Sequence, residues 1–394
     1  MSRRKIHFIY IESGGGHRAA AKALEAVICE QQRPWEVRLS NIQDLLNSID
    51  VIRKLTGIQV QEVYNIMLRR GWTLGTAQLI PLMHGVIRMF HDAQVRVLER
   101  HWSTDPPDMV VSLIPHYNRA FKQALARVCP AAPLVTILTD IADYPPHFWI
   151  ERQDQYVICG SSRAVTQARS LGYPDGRILR TSGMILHPKF YQPLQLDRAA
   201  ERRRLGLCPD LPTALVSFGA EGSMEAVKVA SAFRNCRYGV QLIILCGRHE
   251  QASAKLLSIR HGVPVFVQGF TSDVPYYMSL AHLFIGKPGP GTISEALAMK
   301  LPVIVERNHW TLAHERYNAA WIMEQHAGPV VDNFSQVAEA VAELLSPERY
   351  QLCRASAAAV QNRSVYEIPS LLETILSDRS PRPSTAPAGV VARQ

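Results

Sequence analysis

Residues 286–304 read Gly-Lys-Pro-Gly-Pro-Gly-Thr-Ile-Ser-Glu-Ala-Leu-Ala-Met-Lys-Leu-Pro-Val-Ile. Glycines at 289 and 291 let backbone approach a ligand closely, and a helix opening near Thr292 offers unpaired N–H groups and a positive dipole end. A phosphate fits that position, with Glu295 one turn further on and within reach of a ribose hydroxyl. Near the other terminus, Glu12-Ser-Gly-Gly-Gly-His17 sets an imidazole at the mouth of a glycine turn. Imidazole accepts a proton near neutral pH. His17 is therefore a candidate base, although a histidine after glycines can also simply pad a helix start.

Both motifs need strands to hold them. Ala281-His-Leu-Phe-Ile285 precedes the first and Leu301-Pro-Val-Ile-Val305 follows it, which reads strand, turn, helix, strand. Ile6–Ile11 is the strand before the His17 turn. Further strands are expected at Met109–Ile114, Leu134–Thr139, Tyr156–Cys159 and Ile178–Ser182. In the second half they are expected at Ala214–Phe218, Gln241–Cys246, Val263–Gln268, Leu283–Gly286, Pro302–Val305 and Pro329–Val331. Short apolar runs alternating with helical stretches predict parallel α/β sheets, and two such series predict two Rossmann-like domains. The boundary is expected around 187–207, where prolines precede a charged stretch. Residues 380–394 have the composition of a disordered tail.

The chain has 394 residues, enough for two domains, and 47% of them are apolar. Seven cysteines are scattered without a Cys-x-x-Cys, which predicts neither a zinc site nor a disulfide framework and suits a reducing cytoplasm. No apolar run reaches the ~18–20 residues needed to span a bilayer. Arg3-Arg4-Lys5 before a short apolar run imitates a signal peptide, but the run meets a glycine turn rather than a cleavage site. The net charge of +9 suits nucleic acid, an anionic membrane or phosphorylated substrates, and no nucleic-acid motif accompanies it.

Residues 51–101 contain no clear strand. They interleave apolar residues and Trp72 with seven basic residues, among them Arg69, Arg70 and Arg88, against three acidic ones. Such a segment suits a helix lying in an anionic membrane interface, although amphipathic helices in soluble proteins are usually ordinary core helices.

Taken together and in this order, about 270 residues apart, the two glycine motifs resemble those of the monogalactosyldiacylglycerol synthase and diacylglycerol glucosyltransferase family. These are glycosyltransferase family 28-like enzymes of GT-B fold. The likeness in motif order covers roughly residues 5–375. It implies two Rossmann-like domains with parallel sheets facing an interdomain cleft: a lipid-acceptor domain over 1–190, with 51–101 as a membrane-associating insertion, and a UDP-sugar donor domain over 205–364. A C-terminal helix over 365–377 would return to the first domain. The implied reaction is inverting transfer of a hexose, galactose favoured over glucose, from a UDP-sugar to 1,2-diacylglycerol. The enzyme would lie peripherally on the cytoplasmic side of a membrane.

The same resemblance assigns site residues. Gly14, Gly15 and Gly16 form the acceptor loop, with His17 as base and Asp140, at a Thr-Asp strand end, as a carboxylate that shares its work unless it caps a turn. Gly219 and Glu221 lie near the phosphates, and Phe270 beside uracil. Gly289, Gly291 and Thr292 receive the diphosphate through backbone N–H groups. Glu295, His314, Glu315 and Asn318 serve ribose and sugar. His314 departs from the family, which usually has Gln there, and Ala220 stands where Gly is common. No Asp-x-Asp metal motif or Walker loop is present, so no metal or other cofactor is expected. Alternative readings are transfer to a polyprenyl-linked or other lipid acceptor, a UDP-sugar epimerase of the same fold, or a non-catalytic nucleotide-sugar sensor.

Overall fold

The computed structural model describes residues 3–12, 15–47, 85, 87–236 and 238–377. Two six-stranded sheets, parallel throughout, organise them. The first contains β1 (Arg4–Tyr10), β2 (Trp35–Asn41), β3 (Met109–Ser112), β4 (Leu134–Ile137), β5 (Tyr156–Cys159) and β6 (Ile178–Arg180), in the order β2-β1-β3-β4-β5-β6. The second contains β7 (Thr213–Ser217), β8 (Gln241–Leu245), β9 (Val265–Gln268), β10 (Leu283–Gly286), β11 (Val303–Glu306) and β12 (Val330–Val331), in the order β12-β11-β10-β7-β8-β9.

Eleven of these strands coincide, within a few residues at each end, with the apolar runs of the sequence. β2 does not. Trp35-Glu-Val-Arg-Leu-Ser-Asn41 alternates polar and apolar residues at the sheet edge, and Arg38 faces outward to Glu36 and Asp105 at 2.9 and 2.8 Å. An edge strand with one wet face lacks the continuous β-branched signature of a central one.

Buried sheet faces need cover on both sides, and strand alternation sorts the residues. Ile6 and Phe8 meet Leu24 and Val27 of the helix Gly16–Glu30, together with Val365, Ile368 and Leu372 of the helix Ser364–Ser377. On the opposite face Ile9 and Val110 pack against Leu98 and Trp102 of the helix His91–Thr104. Each such fully buried aliphatic or aromatic side chain stabilises by about 1.5–3 kcal/mol. In the second sheet, Phe284 packs with Ile293 and Leu297 on one face, and Ile285 with Val229 and Val337 on the other.

The helix Ser364–Ser377 therefore completes the core of the first sheet, although it lies at the far end of the sequence. Polar ties reinforce it: Ser182 donates from its N–H and its hydroxyl to Glu367 at 2.8 and 2.7 Å, and Arg33 pairs with Glu373. Of the segment 51–101, the described part includes the helix His91–Thr104. Arg69, Arg70 and Trp72 lie outside the described residues, as do Gly14 and the tail 380–394. Arg88 is exposed. Among the described residues no helix is long and apolar enough to cross a membrane.

Candidate functional site

Ligands of open parallel sheets bind outside the carboxyl ends of the strands. Four such ends converge here. After β1 the chain turns through Gly15, at φ +82°, and Gly16 opens the helix that carries His17. After β4 come Thr139 and Asp140. After β7 the chain turns through Gly219, at φ +85°, and after β10 come Lys287–Gly291. The turns of the two halves touch: a Cβ built on Gly15 would lie 3.7 Å from the Cβ of Ala220.

His17 is half-buried. Its Nδ1 lies 2.8 Å from the Leu113 carbonyl oxygen and 3.0 Å from Thr139 Oγ1. A carbonyl only accepts, so Nδ1 carries the proton and Nε2 keeps its lone pair. Burial lowers the pKa of this imidazole to about 4; the Leu113 bond opposes that and nearby His314 adds to it. The ring is therefore neutral at pH 7, with a free basic nitrogen. Trp149 stands beside it, ring centroids 5.8 Å apart.

The indole of Trp149 donates to Asp140 Oδ2 at 2.7 Å. Burial raises the Asp140 carboxyl above its ordinary range, against the pull of His314, the indole bond and Lys287. Asp143, also buried, accepts from the N–H groups of His147 and Trp149 at 3.0 and 2.6 Å and so shapes the loop 140–150. From the tip of that loop Phe148 stacks flat on His314 of the other half, centroids 5.6 Å and planes 7° apart. Tyr144 meets Tyr317 at 5.5 Å.

On the donor-side wall, the helix Pro290–Ala298 starts with proline and has no side-chain cap. Proline lacks an N–H, so the amides of Gly291 and Thr292 are left without a partner among the described residues. The expected third donor is not available: the N–H of Gly289 donates to the Lys287 carbonyl at 2.8 Å. Glu295 is half-buried, and its carboxyl makes no hydrogen bond among the described residues. Burial raises its carboxyl to about 7, with Lys189 opposing. Asn318 is fully buried, and its amide donates to the Pro288 carbonyl at 2.8 Å. It thus acts on the glycine turn from behind.

Glu315 is buried and pairs through Oε1 with Lys287 Nζ at 2.8 Å. Burial pushes its carboxyl up, but Lys287 and His314 outweigh that and hold it below the usual range. Phe270 is half-exposed, with the Arg248 guanidinium 4.1 Å above its ring; Arg248 also pairs with Glu221 at 3.2 Å. Sequence alone assigns no role to Lys287 or Arg248, and Phe148 and Trp149 enter it only as part of His147-Phe-Trp149, whose likeness to the family supports Asp140. Lys287 is the findable one, since it is the one cation within the glycine turn 286–291.

Residues 216–369 match the glycosyltransferase family 28 C-terminal domain. The chain is 24% identical to a probable chloroplastic monogalactosyldiacylglycerol synthase of Glycine max, covering 96% of this chain and 72% of that protein. It is also 24% identical to the monogalactosyldiacylglycerol synthase of Spinacia oleracea, covering 89% and 68%. Among solved structures it resembles S. aureus MnaA with UDP, with a TM-score of 0.59, 15% identity, and coverage of 95% of this chain and 97% of that one. It likewise resembles Acinetobacter baumannii MurG, with a TM-score of 0.59, 13% identity, and coverage of 94% and 99%. The fold is GT-B. Residues 216–369 are thus a glycosyltransferase family 28 C-terminal domain, within a chain similar to the monogalactosyldiacylglycerol synthases over most of its length.

Proposed function

We propose that this protein is an inverting glycosyltransferase that moves a hexose from a UDP-sugar to the free hydroxyl of 1,2-diacylglycerol at a membrane surface. The observation that carries the reading is that the two halves meet at their strand ends: His314 acts on His17, whose Nε2 is unprotonated, and Lys287, beside the helix start with its two amides, acts on Asp140. Likeness to the monogalactosyldiacylglycerol synthases supplies the acceptor class and favours galactose as the sugar.

The acceptor oxygen attacks the anomeric carbon as its proton passes to His17 Nε2. The bond from that carbon to the β-phosphate oxygen breaks on the opposite face, and its electron pair leaves with UDP. Positioning the two reactants and meeting the charge on the diphosphate carry the catalysis. The amides of Gly291 and Thr292 receive the diphosphate and Glu295 the ribose. Phe270 and Arg248 border the nucleobase end, and Asp140 lies beside the base. The chemical step is proposed to need no metal, because the sequence has no Asp-x-Asp motif. The first sheet, over 1–190, is the proposed acceptor half and 205–364 the donor half. The basic segment 51–101 is the proposed membrane contact.

The test uses purified protein, anionic vesicles containing diacylglycerol, and radiolabelled UDP-galactose or UDP-glucose in parallel, with and without chelator. Label in the organic phase from one donor supports the reaction and names the sugar. Label that stays aqueous with both donors, while UDP binds, rejects diacylglycerol; polyprenyl acceptors are then assayed. Release of epimerised sugar without lipid points to the epimerase reading. Reversing Arg69, Arg70 and Arg88 to Glu should detach the protein from anionic vesicles, since each basic residue near the surface contributes about 1 kcal/mol. Retained binding rejects the membrane contact.

A further inference from the structure

Lys287 stands at the carboxyl end of β10, between Gly286 and the turn that opens the Pro290–Ala298 helix. Its side chain lies over Gly289. A Cβ on Gly289 would come 3.3 Å from Lys287 Cε, 3.2 Å from Thr292 Oγ1 and 3.6 Å from Glu315 Oε1. Three functional groups thus crowd one Cα at the helix start, and a larger residue than glycine would push them apart.

The ammonium gives one hydrogen bond to Glu315 at 2.8 Å and no other to a described residue. It has three N–H donors. Its side chain is 34% exposed while that of Glu315 is 6% exposed. A buried carboxylate therefore anchors a partly exposed cation whose chain lies over Gly289, the residue from which the helix carrying the amides of Gly291 and Thr292 starts.

We propose that Lys287 is a catalytic residue of the transfer, placing its remaining N–H donors on the departing diphosphate, with Glu315 holding it in position. This rests on the nucleotide-sugar reading above. While the sugar is attached, the β-phosphate carries one negative charge. When the bond to the anomeric carbon breaks, the electron pair stays on the phosphate oxygen and the charge rises by one, as the acceptor proton goes to His17. Two amide dipoles supply partial charges only; an ammonium supplies a whole one, in a site where charge interactions are weakly screened.

The consequence is selective. Free UDP carries the full charge that develops in the reaction, and UDP-hexose does not. Calorimetry at about pH 8, where the terminal phosphate of UDP is ionised, compares UDP with UDP-hexose on the full chain. K287A and K287Q should each raise the Kd of UDP about tenfold, that of UDP-hexose about threefold or less, and lower kcat about a hundredfold. K287R should recover most of the UDP affinity. E315Q, which removes the anchor and leaves the charge, should keep the preference for UDP. Equal loss of UDP and UDP-hexose in K287A and K287Q, or an E315Q profile matching theirs, makes the pair a structural tie and overturns the proposal. If wild-type protein binds no UDP, the nucleotide-sugar reading fails first and takes Lys287 with it.

Discussion

The two walls of the cleft are built on opposite plans. On the first wall the groups around the candidate base are engaged: His17 Nδ1 with Leu113 and Thr139, Asp140 with Trp149, Asp143 with two backbone amides. In the second half the groups nearest the helix start are uncommitted among the described residues, namely the amides of Gly291 and Thr292, the Glu295 carboxyl and the outer face of Lys287. A group that must move a proton is best held in one tautomer and one orientation. A group that must receive a ligand is best left unsatisfied, because the hydrogen bond it lacks is the one the ligand brings.

The largest test of that contrast is H17A. It should lower kcat by about 10²–10⁴-fold, the range of a positioned general base, while UDP affinity stays as in wild type. Unchanged turnover removes His17 from the mechanism. On the opposite wall the reverse split is expected: E295A should weaken UDP binding by about 1–3 kcal/mol, measured by calorimetry, and spare kcat at saturating donor. An E295A protein with wild-type affinity would mean that the carboxyl meets no hydroxyl.

The same contrast has a pH signature. His17, lowered to about 4, stays deprotonated across the neutral range, whereas Glu295, raised to about 7, gains its proton as pH falls through neutrality. A carboxylate accepts two ribose hydroxyls better than a neutral carboxyl does. The donor KM should therefore climb below about pH 7 while kcat stays flat to about pH 5, and E295Q should flatten the KM profile. Using UDP-hexose as ligand avoids the terminal phosphate of UDP, which titrates in this range. The smallest effect is expected for T139V, which removes one of two groups on His17 Nδ1. Turnover should fall by less than about tenfold, since a single shared hydrogen bond is worth about 0.5–1.5 kcal/mol. A drop as large as that of H17A would make Thr139, rather than Leu113, the residue that fixes the tautomer.

Sequence alone carried the fold a long way, for a physical reason. A central parallel strand is buried on both faces and is written as a nearly unbroken apolar run, so Leu283–Gly286 or residues 242–245 within β8 cannot be disguised. An edge strand is under no such demand, and Trp35–Asn41 went unread. The glycine turns were legible because residue type there reports backbone need: Gly15 and Gly219 take positive φ, and a Cβ on Gly286 would lie 2.3 Å from the Ser217 carbonyl oxygen. What the sequence hides is pairing across distance. Nothing in Lys287 or Glu315, 28 residues apart, announces their bond, and Phe148 gives no sign that its partner is His314. The Gly289 amide makes the same point at short range. Its type suggested a free donor, and the local turn spends it on Lys287.

The helix Ser364–Ser377 sets an order of events during synthesis. Val365, Ile368 and Leu372 are fully buried against strands and a helix drawn from the first forty residues. Domains usually complete themselves as they leave the ribosome, starting from the N-terminus. This first sheet cannot do so. Until the helix Ser364–Ser377 emerges, the face it shares with the helix Gly16–Glu30 stays partly open, and the second sheet, whose strands end at Val331, has the means to finish first. The half made earliest is thus sealed by a helix made after the strands of both sheets.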